Sequence, residues 1–169
     1  DLVTTVVAKE TLTGFESFLA CYFTEGFTNS LAYVADMPGK PGEASVLAAE
    51  ASLGNWVVFP RDDAAMVCFR DGRWKIEPNP VEWLKTAQLA KPLGIRRNPA
   101  TGLTALIMAP PTDAFALCTP EQTEGHYSMY LSLFGRDLAA GEIAQARARL
   151  VIGAGLSNAD AVRAHNEFM

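Results

Sequence analysis

Two long segments near the end of the chain alternate apolar and polar residues with a period of two. Over 126–133, one face carries a tyrosine, a methionine and two leucines, and the other carries a histidine, two serines and a tyrosine. Over 143–152, alanine, leucine and isoleucine alternate with glutamine and arginine. These residue types also favour a helix by propensity, but a helix would scatter the apolar ones around its axis. A period of two is typical of a half-buried strand. We therefore predict two long antiparallel strands joined by a turn at 138–142.

Shorter segments predict the remaining strands. These are expected at 2–7, 15–23, 55–59, 93–97, 103–109 and 114–119. A further hairpin, of 64–70 with 73–77, is expected through Asp71-Gly72, a dipeptide that is favoured in two-residue turns.

Helical elements are predicted in three places. Residues 44–51 are rich in alanine and glutamate, and residues 81–90 are bracketed by prolines. At 157–169, Ser157 can cap a terminal helix, with Asp160 at the capping-box position.

This set of elements predicts an all-β protein. Short strands separated by Gly/Pro turns are typical of a sandwich or a barrel, and we favour an antiparallel β-sandwich with short helical insertions and a C-terminal helix. Residues 1–169 are expected to form a single β-sandwich domain, or else part of a larger, supersandwich-like one. In the second case a homodimer or a further segment would cover the sheet edges.

Composition narrows the classes of function. The chain has 169 residues, of which 49% are hydrophobic and 20% charged, as is ordinary for a globular protein. A net charge of -5 argues against a nucleic-acid partner, because phosphate binding needs a basic surface. No apolar run reaches the roughly 20 residues of a membrane span, so no membrane partner is expected.

The positions of cysteine, histidine and glycine further limit the kinds of site that the chain can contain. Cys21, Cys68 and Cys118 each adjoin apolar residues, which indicates buried thiols in a reducing compartment, most simply the cytoplasm. Histidines and cysteines do not recur at metal-ligand spacing, so no metal site is expected. Neither a phosphate-cradling glycine-rich loop nor a Gly-x-Ser-x-Gly motif occurs, so no cofactor is expected.

Two residues are candidates for proton transfer. His126 shares the polar face of the first long strand with Ser128 and Tyr130, and histidine titrates near neutral pH. The alternative is a structural histidine. Glu16 lies among aromatic residues, where desolvation raises the pKa of a carboxyl, and the alternative is a salt bridge to an arginine. If both face one cavity, they form an acid/base pair.

Arginines supply candidate ligand contacts. Arg61 follows a strand end, and Arg73 with Trp74 could stack on and hydrogen-bond a sugar. Arg97 belongs to a local arginine pair that could bind a small anion. Each has an alternative interpretation as a solvated or turn residue. The second histidine, His165, is expected to be a solvated residue of the terminal helix.

The closing segment resembles a known family. Tyr130-Leu131-Ser132-Leu133-Phe134, the turn Leu138-Ala139-Ala140-Gly141-Glu142 and the alternating strand after it are similar to the last strands of galactose-mutarotase-like (aldose epimerase-type) β-sandwiches. The resemblance implies a concave sheet that holds a carbohydrate, with a histidine acid and a glutamate base in the epimerases. The chain lacks the Asn-His-x-Tyr-Phe-Asn-like histidine motif of this family. The assignment of His126 and Glu16 as candidates therefore depends only on the strand face that each side chain occupies.

Two hypotheses of function follow. In the first, the sandwich binds a small polar ligand, a carbohydrate or sugar acid, in a groove on the polar face, with proton transfer of the epimerase, isomerase or lyase kind between His126 and Glu16. In the second, it is a non-catalytic carbohydrate-binding or protein-interaction module. Convergence of the two side chains in one pocket favours the first, and separation favours the second.

Overall fold

Most of the chain is strand, arranged in two sheets. The computed structural model describes residues 1–37, 39–78 and 80–169. The strands are, in chain order, β1 Leu2–Val7, β2 Leu12–Tyr22, β3 Asn29–Val34, β4 Ser45–Ala48, β5 Trp56–Pro60, β6 Leu84–Lys85, β7 Leu89–Asn98, β8 Leu103–Met108, β9 Ala114–Pro120, β10 Ser128–Leu138 and β11 Ile143–Ala154. The helical elements are α1 Met66–Arg70, α2 Asn158–Phe168 and 3₁₀ turns at Ala51–Leu53 and Arg73–Lys75.

The sheets stack face to face as a sandwich. One has six strands in the order β1-β11-β8-β7-β3-β4, and the other has five in the order β2-β10-β9-β5-β6. Neighbouring strands run antiparallel, except that β6 runs parallel to β5. Inward-facing residues of both sheets, such as Ala32, Phe59, Leu131 and Ala146, form the main core. The predicted all-β sandwich with short helical insertions and a C-terminal helix is confirmed.

A smaller apolar cluster covers the outer face of each sheet. On the five-stranded sheet, residues 66–75, which we call the helical insert, pack over Val58 and Tyr130. On the six-stranded sheet, Ala161 and Phe168 of α2 join a cluster of strand side chains. The central strands are therefore buried on both faces, which a sandwich of two sheets alone would not require.

The hairpin predicted between 64 and 77 is wrong. This segment forms α1 and a 3₁₀ turn, and the helix buries Met66 and Phe69 against the sheet. A type I′ turn needs a positive φ at both central residues. Asp71 has a φ of -75° and only Gly72, with a φ of 98°, is left-handed, so the dipeptide ends a helix instead.

Two predicted helical segments are also wrong. Residues 44–51 contain β4, which pairs with β3, and residues 81–90 contain β6 and the start of β7. Strand β7 passes through Pro92 where its register against β3 shifts, a position at which the missing N–H of proline is tolerated. Strand β3 has no clear sequence signal, because it starts with Asn29 and its inward face starts with Ser30.

Most other predicted elements are confirmed. The β7–β8 hairpin, β9, β10 and β11 lie where the pattern places them. The antiparallel pairing expected between β10 and β11 is wrong, because the turn at 138–142 carries the chain from the five-stranded sheet to the six-stranded one. At the start of α2, Ser157 Oγ accepts a hydrogen bond from the Asp160 N–H at 3.1 Å, and Asp160 Oδ2 accepts one from the Ser157 N–H at 2.9 Å. This is the predicted capping box.

The expectation that His165 is solvated is wrong. It lies on the inner face of α2, because it stands four residues after Ala161 and three before Phe168, and this spacing keeps all three on one side of a helix. The imidazole is 1% exposed, and its Nε2 lies 3.1 Å from the carbonyl oxygen of Ala109.

The cysteines are free, and Cys68 and Cys118 are buried as predicted, whereas Cys21 is half-buried. No helix among the described residues has the length and apolar character needed to cross a membrane.

Candidate functional site

Aromatic side chains line an open groove of about 670 Å³ on the outer face of the five-stranded sheet. The lining residues are Phe18, Ala20, Tyr22, Trp56, Trp74, Pro78, Pro80, Val81, Trp83, His126 and Tyr130. We call this the aromatic groove. It holds all three tryptophans of the chain.

The sheet supplies the floor of the groove through strand periodicity. Phe18, Ala20 and Tyr22 are alternate residues of β2, so they share one face. Tyr130 lies on the neighbouring β10, and Trp56 starts β5. The helical insert and the segment after it add Trp74 and Trp83 as the opposite wall.

The rings pack against one another and hold the groove in shape. Phe18 and Tyr130 stack with centroids 4.5 Å apart and an interplanar angle of 19°. Trp56 meets Trp83 edge to face at 5.6 Å and the His126 ring at 5.3 Å. Such pairs are favourable beyond their buried area. Tyr22 is 65% exposed, so its ring is available to a ligand.

Polar groups stand at the rim and floor of the groove. Glu124 fixes His126 by accepting a hydrogen bond from its backbone N–H at 2.8 Å, and its carboxylate lies 2.6 Å from the His126 Nδ1. The His126 side chain is 54% exposed, so its ring can also meet a ligand. On the floor, Ser128 Oγ donates to the Tyr130 hydroxyl at 2.5 Å, and burial raises the pKa of that phenol.

The expected exposure of the alternating polar face is wrong. Ser128, Tyr130 and Ser132 are buried, because β10 is a central strand and the helical insert covers its outer face. His126 precedes the strand and is exposed. Of the predicted polar face, His126 and Tyr130 line the aromatic groove.

Glu16 lies beside a different cavity, of about 790 Å³, next to the Asp71-Gly72 turn. Its side chain is only 5% exposed, and its Oε2 lies 3.8 Å from Arg73 Nη1. Arg73 is committed elsewhere, since its Nε donates to Asp71 at 2.8 Å and its Nη1 donates to the Gly14 carbonyl at 2.7 Å. The ion pair to an arginine therefore exists but is loose.

Burial is the main influence on the pKa of the Glu16 carboxyl. Desolvation raises its pKa above 4.5, and the nearby Ser132 hydroxyl and the Arg73 guanidinium offset part of the rise. Within the part of the chain that the structure describes, Glu16 Oε1 and Trp74 Nε1 are both buried without a partner at full hydrogen-bond geometry. The carboxyl group thus behaves as a buried acid beneath the helical insert.

The structure does not bring Glu16 and His126 together. Glu16 pairs with Phe134 across β2 and β10, whereas Tyr22, at the His126 end of the groove, pairs with Ser128. A separation of six residues along β2 corresponds to roughly 20 Å. The two side chains line separate cavities and cannot share a proton directly.

The remaining predicted ligand contacts are dispersed. Trp74 lines the aromatic groove, but its neighbour Arg73 lines the Glu16 cavity. Arg61 pairs with Asp62 at 2.8 Å after β5. Arg97 donates to Asn158 at 2.8 Å at the start of α2, on the far sheet.

The neighbour of Arg97 has a structural role that sequence reasoning missed. Arg96 is fully buried between the sheets, where it donates to the carbonyls of Phe27 at 2.8 Å and Ser128 at 2.9 Å. Desolvation lowers its pKa to about 10. An arginine inside the predicted strand 93–97 was the available signal.

Comparisons with known proteins add no relative. A scan of protein-family models, a search of curated proteins and a search of solved structures each returned no match to this chain. Within the described residues, His, Cys, Asp and Glu side chains do not gather in groups of three that could hold a metal ion.

Proposed function

We propose that this protein is a carbohydrate-binding module that takes a neutral sugar in the aromatic groove. One observation carries the proposal, namely an open groove lined by three tryptophans, two tyrosines and a histidine. Aromatic rings stack on the apolar faces of sugar rings, and hydroxyl and imidazole groups at the edges hydrogen-bond their hydroxyls. A groove of about 670 Å³ has room for a mono- or disaccharide.

Charge favours a neutral sugar over a sugar acid. Among the described residues, neither arginine nor lysine lines the groove, and His126 already faces the Glu124 carboxylate. A sugar carboxylate is best bound by a guanidinium, and Arg61, Arg73 and Arg97 lie elsewhere.

Proton transfer is not part of the proposal. Glu16 and His126 line different cavities, so the acid/base pair that an epimerase or lyase needs is not assembled. The second of the two sequence-based hypotheses, a non-catalytic module, therefore has the stronger support.

We also retain the reducing compartment as part of the proposal, with the cytoplasm as its simplest form. Three free cysteines, two of them buried, support it, since such thiols persist in a reducing environment.

A binding titration with groove variants tests the proposal. Maltose, cellobiose, lactose and mannobiose are titrated by calorimetry against the wild type and against Trp56→Ala and Tyr22→Ala. We expect one neutral sugar to bind and each variant to weaken it about tenfold, as the loss of about 1.5 kcal/mol of stacking implies. Tyr33→Ala, a tyrosine outside the groove, is the matched control and should bind as the wild type does.

Two results would contradict the proposal. One is equal loss of binding in the Tyr33→Ala control. The other is binding of digalacturonic acid with no binding of any neutral sugar in the panel.

A further inference from the structure

The four edge strands of the sandwich differ in how they are protected from pairing with another chain. Strand β4 has four residues and β6 has two, so both offer little backbone. Strand β2 is long, but Gly14 has a φ of 54° with its N–H bonded to the Asp137 side chain, so its backbone is irregular. Short length and irregular backbone are common defences of an edge.

Strand β1 has none of these defences. Its sequence is Leu-Val-Thr-Thr-Val-Val, without charge, proline or glycine. Val3 and Val7 point outward and are 56% and 52% exposed, and Ile143, opposite Val7 on β11, is exposed beside them. The edge is thus regular, uncharged and flanked by apolar side chains.

The backbone of β1 offers alternate residues to a partner. Ala8 directs its backbone N–H and C=O toward the turn between β10 and β11. Its N–H donates to the Glu142 carbonyl at 2.9 Å, and its carbonyl accepts from the Gly141 N–H at 2.8 Å. Because alternate residues of a strand point their N–H and C=O groups to opposite sides, Val3, Thr5 and Val7 direct theirs to the open side.

We propose that β1 pairs antiparallel with β1 of a second copy of this chain, around a two-fold axis at Thr5. In this register Val3 of each copy lies opposite Val7 of the other, so the exposed valines cover one another. The pairing joins two six-stranded sheets into one continuous sheet. The inference is independent of the function proposed for the aromatic groove.

The side chains that meet across the pair select the partner and the register. Centring on Thr5 brings Lys9 of one copy near Asp1 of the other, whose carboxylate also accepts from Arg149 of its own chain at 2.8 Å. Centring on Thr4 instead places Val7 opposite Asp1, an apolar side chain against a carboxylate. The self-complementary register favours a second copy over an unrelated strand.

Cysteine cross-linking tests the register and light scattering tests the assembly. We expect a mass of twice 18.2 kDa for the wild type, and rapid disulfide formation by Thr5→Cys on oxidation with copper phenanthroline. Val3→Cys is the matched control. Two Val3 positions are offset by four residues, roughly 13 Å, which exceeds the reach of a disulfide.

A second variant checks that β1 carries the dimer. Thr5→Lys should shift the mass to 18.2 kDa, and Thr13→Lys, an exposed residue of the protected β2 edge, should leave the dimer intact. The proposal is overturned if the wild type is monomeric at 100 μM. A dimer that Thr5→Lys leaves intact, or that cross-links equally through Val3→Cys, also overturns it.

Discussion

At the scale of single residues, burial controls chemistry more than sequence neighbourhood does. Glu16 keeps a raised pKa because its carboxyl is desolvated, and Arg73, held by Asp71 and Gly14, compensates only weakly. The folded state therefore holds a proton on Glu16 at pH values where the unfolded chain has lost it. The stability that this carboxyl contributes is fully present below pH 4.5, the ordinary pKa of a glutamate. It is lost as the pH rises through the higher pKa of Glu16 in the folded state.

Replacing Glu16 with glutamine should therefore stabilise the protein at pH 7. We expect Glu16→Gln to raise the free energy of unfolding by about 1 kcal/mol, because a neutral amide replaces a buried charge. Urea unfolding at pH 7 and pH 4 measures this, and the advantage should shrink at the lower pH. Glu10→Gln, an exposed glutamate, is the control. A destabilised Glu16→Gln at pH 7 would mean that the Arg73 ion pair outweighs desolvation.

Sequence reasoning identified Glu16 as a buried carboxyl and His126 as exposed, but it could not locate them relative to each other. Their separation depends on the register of β2 against β10, which strand periodicity does not determine. It also could not show that Ser128 and Ser132 are buried, since this follows from the position of the helical insert.

At the scale of elements, a bulge interrupts β10. Phe134 and Gly135 have φ values of 72° and 64°, and the register against β2 shifts beside them. A Cβ at Gly135 would also overlap the Phe115 ring. The glycine thus satisfies both a backbone and a packing requirement.

Alanine at the bulge should cost far more than alanine at a free turn. We expect Gly135→Ala to lower the free energy of unfolding by about 3 kcal/mol, from left-handed strain and overpacking together. Gly141→Ala has a similar φ of 82° but open space around its Cβ, so about 1 kcal/mol is expected. Thermal or urea unfolding of both variants measures the difference. Equal losses would show that Phe115 moves aside without cost.

The docking of α2 should depend on pH through His165. Burial, with a smaller contribution from Lys91, lowers its pKa below 6.5. Its Nε2 donates to the Ala109 carbonyl, and its Nδ1 has no hydrogen-bond partner among the described residues. The unfolded chain therefore takes up a proton first, and stability falls as pH decreases below 6.5.

Glutamine at this position preserves a donor and removes the titration. Across pH 7 to pH 5 the wild type should lose more stability than His165→Gln, and urea titrations at each pH measure the difference. Parallel stability profiles for the two proteins would exclude His165 as the titrating group.

Element prediction succeeded where one signal was decisive. The period-two alternation over 143–152 outweighed the helix propensity of the same residues, and the Ser157–Asp160 capping box marked the start of α2. It failed at Asp71-Gly72. A helix end needs one residue with a positive φ and a two-residue hairpin turn needs two, and an Asp-Gly dipeptide can adopt either conformation. For β6 and β7, tertiary pairing overrode local helix signals.

At the scale of the whole molecule, the layers explain the site. The helical insert covers the five-stranded sheet and α2 covers the six-stranded sheet. The aromatic groove lies where the insert meets the end of the five-stranded sheet. The all-β class was predictable from turns and alternation. The groove was not, because Tyr22, Trp56, Trp83 and His126 come from four separate parts of the chain.

The central claim is that the aromatic groove binds a sugar, and the indole N–H signals of the protein report on that groove directly. All three tryptophans line the groove, so each indole N–H resonance in a ¹H–¹⁵N spectrum monitors it. On titration with the neutral disaccharide panel, we expect at least one sugar to shift these resonances saturably. The backbone amide resonances of Arg61 and Arg97, which lie outside the groove, should not shift. Indole resonances that stay fixed at 20 mM of every sugar would contradict the proposed function.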